Sequence, residues 1–126
     1  MNIFHRRKIL RNTNALDLIP IRNHDHELND DGKVVLVVPK FEKKWMRKFF
    51  IAPARKDHFN VNLDELGSNV WLMIDGNTTT KELANALVKR SPDIEGPQDR
   101  VLSFISMLYE QRYVTFKQLQ VDEQNI

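Results

Sequence analysis

His24 and His26, in the stretch "HDHE" at 24–27, come nearest in this chain to a metal-binding pair. Two apart in a strand, they fall on one face, and imidazole is a common metal ligand. Nothing completes the ligand set: His5 and His58 are remote and there is no Cys, so a solvated strand edge explains the pair and no metal site is expected. The absence of Cys also excludes disulfides and thiolate nucleophiles. There is no nucleophile beside a base, no carboxylate pair in a recognisable context, and no phosphate-cradling loop among the 4 glycines. The residue types therefore predict a protein that is not an enzyme and takes no cofactor.

A second chemical feature is positive charge. On a helical wheel of "KFEKKWMRKFFIAPARK", residues 40–56, Phe41, Trp45, Met46, Phe49 and Phe50 fall within roughly half the circle, with Lys40, Lys43, Lys44, Arg47 and Lys48 opposite. Such an amphipathic basic helix suits an anionic membrane surface, nucleic-acid phosphate or an enzyme partner. A packed aromatic face with solvated lysines explains it equally. Partner docking through Trp45, Lys44, Arg47 and Lys48 stands ahead of membrane or nucleic acid. The net charge of +2 hides an asymmetry: residues 1–60 carry 13 Lys+Arg against 7 Asp+Glu, a balance of +6, and residues 61–126 carry 6 against 10, a balance of −4.

The elements that position these features follow from pattern. A chain of 126 residues with 41% apolar and 29% charged content suits one globular domain. No signal peptide or membrane-spanning run is evident, so a cytoplasmic location is expected. Residues 1–17 read as a flexible basic arm. "LIPIRNHDHE", residues 18–27, reads as a strand with Pro20 at an edge or strand start. "NDDG", residues 29–32, is a turn, and "KVVLVVP", residues 33–39, a buried strand, so the pair is a hairpin. "HFNVNL", residues 58–63, alternates apolar and polar side chains as a third, half-buried strand.

Three helices then follow. The first has Asn62 as N-cap with Glu65 three positions on, carries Leu66, Val70, Trp71 and Ile74, and ends at Asp75-Gly76. The second opens with a Thr79/Glu82 capping box and carries Leu83, Ala84, Leu87 and Val88. The third starts at Pro97 and carries Val101, Leu102, Phe104, Ile105, Leu108 and Tyr109, more apolar residues than one face needs. That second face could line a peptide groove, make a dimer contact, or be covered by neighbours. "YVTF", residues 113–116, suggests a short closing strand, and residues 117–126 a frayed tail. The whole is an α+β, winged-helix-like domain over residues 18–116, with a small three-stranded antiparallel sheet followed by a three-helix bundle and an insertion at 40–57.

In this order the residues resemble the PqqD-like proteins, peptide-recognition domains named for a pyrroloquinoline quinone biosynthesis protein. The resemblance rests on Val34–Pro39, on Leu63-Asp64, on "VWLMIDG" at 70–76, on Thr79, Glu82 and Leu83, and on the third helix closing in "RYV" where the family has "KG[LI]". The insertion and the long arm depart from the family pattern. The resemblance implies a non-catalytic adaptor that binds the leader of a ribosomally made precursor peptide and presents it to a modifying enzyme, commonly a radical S-adenosylmethionine enzyme. It implies that the leader adds as a strand beside Phe59, Asn60, Val61, Asn62 and Leu63, with its apolar side chains against Val101, Leu102, Ile105 and Tyr109. A monomer or weak homodimer is expected.

The alternative is a winged-helix nucleic-acid-binding regulator. A recognition helix normally follows a turn of 3–4 residues and carries basic or amide side chains. Here the loop before the third helix is eight residues, Ser91–Gln98, and the helix sets Arg100 and Arg112 against Asp99 and Glu110. The helical half is acidic, which opposes phosphate contact, so no nucleic-acid partner is expected.

Overall fold

Asn29 organises the first turn of the sheet. Its Oδ1 accepts the amides of Asp31 (2.9 Å) and Lys33 (3.0 Å), and Gly32 takes φ 78°, a left-handed conformation that glycine adopts without strain. The turn joins β2 (Asp25–Leu28) to β3 (Val34–Pro39) as the expected hairpin. β4 (His58–Asn62) then pairs with the other side of β3, giving an antiparallel sheet in the order β2-β3-β4. A computed structural model describes residues 10, 13–39 and 58–124 of the chain. The amphipathic helix expected at 40–57, with its docking residues Trp45, Lys44, Arg47 and Lys48, lies outside the described residues.

The described chain divides into two compact units, one of residues 24–68 and one of the remaining described residues. In the first, Val34, Leu36 and Val38 are buried while Val35, Val37 and Pro39 are half-buried, so β3 packs one face fully and covers the other partly. Ser68, from α1 (Glu65–Met73), fastens the last rung of the sheet. Its hydroxyl accepts the Val34 amide at 2.8 Å and lies 3.4 Å from the Leu63 carbonyl, to which it donates. α1 is not capped by Asn62, which is still paired with Val35 in β4. Asp64 caps it instead, its Oδ1 accepting the Gly67 amide at 2.7 Å.

The second unit is built around the carbonyls of its N-terminal segment. A 3-10 turn at Ala15–Asp17, with Asn14 as its N-cap, lies inside what reads as a flexible arm. The Leu18 carbonyl accepts both the amide and the hydroxyl of the buried Thr80, each at 2.9 Å. This seats α2 (Thr80–Arg90), whose capping box is as expected: Thr79 Oγ1 accepts the Glu82 amide and the Glu82 carboxylate accepts the Thr79 amide, both at 3.1 Å. Leu83, Ala84 and Leu87 of α2 enter the core, whereas Val88, at the edge of that stripe, is exposed.

The strand expected over residues 18–27 is two strands. β1 (Pro20–Arg22) pairs antiparallel with β5 (Val114–Phe116), not with β3. Asn23 holds β1 there by donating its amide to the Tyr113 carbonyl and its side chain to that of Arg112, whereas from Asp25 onward the chain pairs with β3. Pro20 is the first residue of β1, where its missing N–H removes nothing from a central ladder. Arg22 lies over the Trp71 ring at 5.8 Å and donates to the Ile74 carbonyl at 2.9 Å. Gly76, at φ 80°, makes the turn after α1. Asp75 there accepts the Asn77 amide at 2.8 Å; that bond, with one from the Thr78 side chain, holds the carboxyl below the usual range. These bonds give the turn a structural role.

α3 (Pro97–Glu110) begins with proline at its first turn and ends in a Schellman motif, in which the Tyr113 amide reaches the Leu108 carbonyl (2.8 Å) and the Arg112 amide that of Tyr109 (3.0 Å). The left-handed residue is Arg112, at φ 65°. Past β5, residues expected to fray form α4 (Lys117–Gln124). Its start is tied down by the Lys117 amide to the Ile19 carbonyl (2.9 Å), by Gln118 bridging Ile19 and Asp17, and by the buried Leu119.

Two stability predictions follow from these contacts. Ser68→Ala leaves the buried Val34 amide without its acceptor and is expected to lower stability by about 1–3 kcal/mol in urea denaturation; an unchanged midpoint would show that the hydroxyl holds nothing. Arg112→Gly removes left-handed strain and is expected to raise the thermal midpoint, by the equivalent of about 1 kcal/mol; a lower midpoint would refute the strain assignment.

Candidate functional site

Among the described residues the sheet ends on two edges, β2 and β4, and they differ in kind. The hydrogen-bond phase of β4 follows from the Leu63 amide, which donates to the Val34 carbonyl at 2.9 Å. Antiparallel partners exchange hydrogen bonds at every second pair, so Val61 with Leu36 and Phe59 with Val38 are the bonded pairs. The main-chain groups of Asn60 and Asn62 therefore point away from β3, toward the open edge. Directly opposite residues share a face. Phe59 and Val61 thus lie on the side of Leu36 and Val38, and Asn60 and Asn62 on that of Val37 and Val35.

Burial grades along β4. Leu63, just past the strand, is buried and Val61 half-buried, while Phe59 is 44% exposed on what is the core face farther in. An aromatic side chain in that position is short of a neighbour on its outer side. β4 also carries no carboxylate, Lys or Arg. β2 does: Asp25 and Glu27 are both exposed, and charged side chains are the usual protection of an edge against unwanted pairing. That contrast is readable in the sequence as acids at alternate positions of "DHEL", a signal missed when attention falls on the histidines. Among the described residues no group of three or more His, Cys, Asp or Glu could hold a metal.

β4 belongs to the unit of residues 24–68 and α3 to the other. On α3 the expected site residues separate. Val101 and Ile105 are 1% and 3% exposed and, with Leu108, form the buried stripe. Leu102 and Tyr109 are half-buried on one flank of that stripe, a helical repeat apart; the Tyr109 ring leans on Phe116 with centroids 4.9 Å apart. Phe104 and Met107 occupy the opposite flank, where Met107 is 39% exposed and was not anticipated. Of the four α3 residues named for peptide contact, Leu102 and Tyr109 have side chains a ligand can reach; Val101 and Ile105 support them from within the core. No helix among the described residues is long and apolar enough to cross a membrane.

This separation is testable by stability alone. Ile105→Ala is expected to cost about 2–5 kcal/mol, as buried aliphatic truncations do, and Leu102→Ala less than half as much. Equal losses in denaturant titrations would contradict the division into core and flank.

Residues 54–114 match the family model described as Coenzyme PQQ synthesis protein D (PqqD). The matched stretch holds β4, α1, α2, α3 and the first residue of β5, so the strand Val34–Pro39 that contributes to the resemblance lies outside it. No curated protein and no solved structure matched the chain.

Proposed function

Since the chain carries a PqqD-like domain over residues 54–114, we propose that it is a non-catalytic adaptor that binds the leader of a ribosomally made precursor peptide and presents it to a modifying enzyme. The enzyme class that the resemblance favours is a radical S-adenosylmethionine enzyme. One observation carries the reading: among the described residues β4 is an edge strand without Lys, Arg or carboxylate, with Phe59 exposed beside it and the main-chain groups of Asn60 and Asn62 turned away from β3. Strand addition needs those unpaired groups for affinity and side-chain pockets for selectivity. Phe59, Asn60, Val61 and Asn62 are the contact residues on β4, with Leu63 anchoring its end in the core. On α3, taken by itself, Leu102 and Tyr109 are the half-buried side chains that a ligand can reach. The basic segment at 40–57, with Trp45, Lys44, Arg47 and Lys48, docks the enzyme.

The leader of a precursor peptide encoded next to this chain is expected to bind with a Kd of about micromolar or below, measured by fluorescence anisotropy. Asn60→Pro removes an N–H that faces away from β3, so it is expected to weaken binding about tenfold or more while leaving the unfolding midpoint in place. Failure of the leader to bind, or equal binding by the Asn60→Pro variant, would overturn the reading. Replacing residues 41–57 with a four-residue Gly/Asn linker, long enough to close the β3–β4 hairpin, is expected to spare leader binding and abolish co-purification of the modifying enzyme; retained co-purification would remove the docking role.

A further inference from the structure

The sequence of β4, "HFNVN", is complementary to a second copy of itself. Phe59 and Val61 exchange main-chain bonds with β3, so at the open edge pairing runs through the main-chain groups of Asn60 and Asn62. When two identical strands pair antiparallel about a twofold axis, the axis can pass through Asn60. Phe59 of each copy then faces Val61 of the other, and His58 faces Asn62, so the whole strand is used. Moving the axis to Val61 sets Phe59 against Leu63, which is buried and whose amide is held by the Val34 carbonyl. Directly opposite residues share a face, so the two apolar faces join. Phe59, 44% exposed, meets a β-branched side chain across a non-bonded pair, where Cα atoms approach to about 4.5 Å and side chains pack most closely.

Charge selects this edge over the other. β4 has no Lys, Arg or carboxylate, so two copies meet there without like charges facing each other. Pairing β2 with β2 would instead bring the carboxylates of Asp25 and Glu27 together. We infer that β4 is an interface between two copies of this chain, paired antiparallel with Asn60 on the twofold axis and Phe59 of each copy against Val61 of the other. The joined sheet runs β2-β3-β4-β4-β3-β2, and both of its outer edges carry the exposed Asp25 and Glu27. Those carboxylates oppose further addition, so the assembly closes at two copies. One pair of five-residue strands is smaller than a standard interface of about 1,600 Å², so the dimer is weak, with a Kd between about 10 μM and 1 mM. On the adaptor reading above, leader and second copy need the same main-chain groups, so self-pairing covers the edge until a leader displaces it.

Sedimentation velocity of the full chain, from about 5 μM to about 1 mM, tests this. The wild-type chain is expected to pass from monomer toward dimer across that range. Asn60→Lys and Asn60→Asp each set like charges together at the axis and are expected to weaken self-association about fivefold or more at low salt. An equimolar mixture of the two is expected to restore it as a heterodimer. That restoration depends on residue 60 facing its own copy, and a variant that failed to fold would not produce it. A wild-type chain that stays monomeric at the top of the range, variants that dimerise as well as the wild type, or a mixture no better than its components overturns the inference. Excess leader of the neighbouring precursor is expected to convert the dimer to monomers bearing one leader each. A dimer that carries leader overturns the inference, since one edge cannot hold both. A leader that does not bind overturns the adaptor reading and leaves the dimer to be decided by the mixture.

Discussion

Register on β3 is the constraint from which the chemistry of the sheet derives. Side chains alternate with a period of two, so slipping β4 by one residue would bring Asn60 and Asn62 onto the apolar face and turn Phe59 and Val61 to the other. Val34, Leu36 and Val38 forbid that slip, because their face is buried and accepts apolar partners. The Ser68 hydroxyl adds a polar lock at one end of the ladder, occupying a rung with the Val34 amide and the Leu63 carbonyl. A hydroxyl that both accepts and donates can replace a direct backbone bond without stranding either group. The identity of the outward-facing main-chain groups is thus settled by residues that no ligand touches.

Main-chain groups claimed by distant residues are found in the other unit as well. Leu18 receives Thr80, Ile19 receives Lys117, and Gln118 spans Ile19 and Asp17, so the N-terminal segment is bound by residues some 60 to 100 positions away. These are bonds between an irregular segment and helix starts, where main-chain groups would otherwise be left over. They hold Asp17, Leu18 and Ile19 in place just before β1, which pairs with β5.

Much of this was legible because it is local. The Asn29 turn, the Thr79/Glu82 box and the proline at the start of α3 each need only neighbouring residues, and each appears as the spacing predicts. What escaped is non-local or turns on a single position. Asn62 and Asp64 are equally good capping residues; only the pairing of Asn62 with Val35 decides for Asp64. The division of residues 18–27 depends on which strand each half meets, and nothing in "LIPIRNHDHE" encodes that. That Arg112 takes the left-handed position after α3 follows from the Schellman bonds and not from its residue type. On α3 the apolar residues outnumber one face, so counting them could not say that Val101 and Ile105 go inward while Leu102 and Tyr109 remain at the flank.

An edge strand without Lys, Arg or carboxylate is a hazard that a fold ordinarily suppresses, and among the described residues the sheet guards only one of its two edges. β2 bears Asp25 and Glu27, and any strand approaching that side must come close to two exposed carboxylates. One Lys or Glu in β4 would have protected the second edge as cheaply, since Asn60 and Asn62 are exposed and nothing in their packing requires an amide. Asparagine is moreover a poor strand former, so its presence twice in five residues is not explained by β-propensity. What asparagine does preserve is a neutral polar face beside an open ladder, with Phe59 left without cover on the reverse. A strand kept soluble but unguarded is the state from which pairing with an extended peptide requires no rearrangement of the sheet.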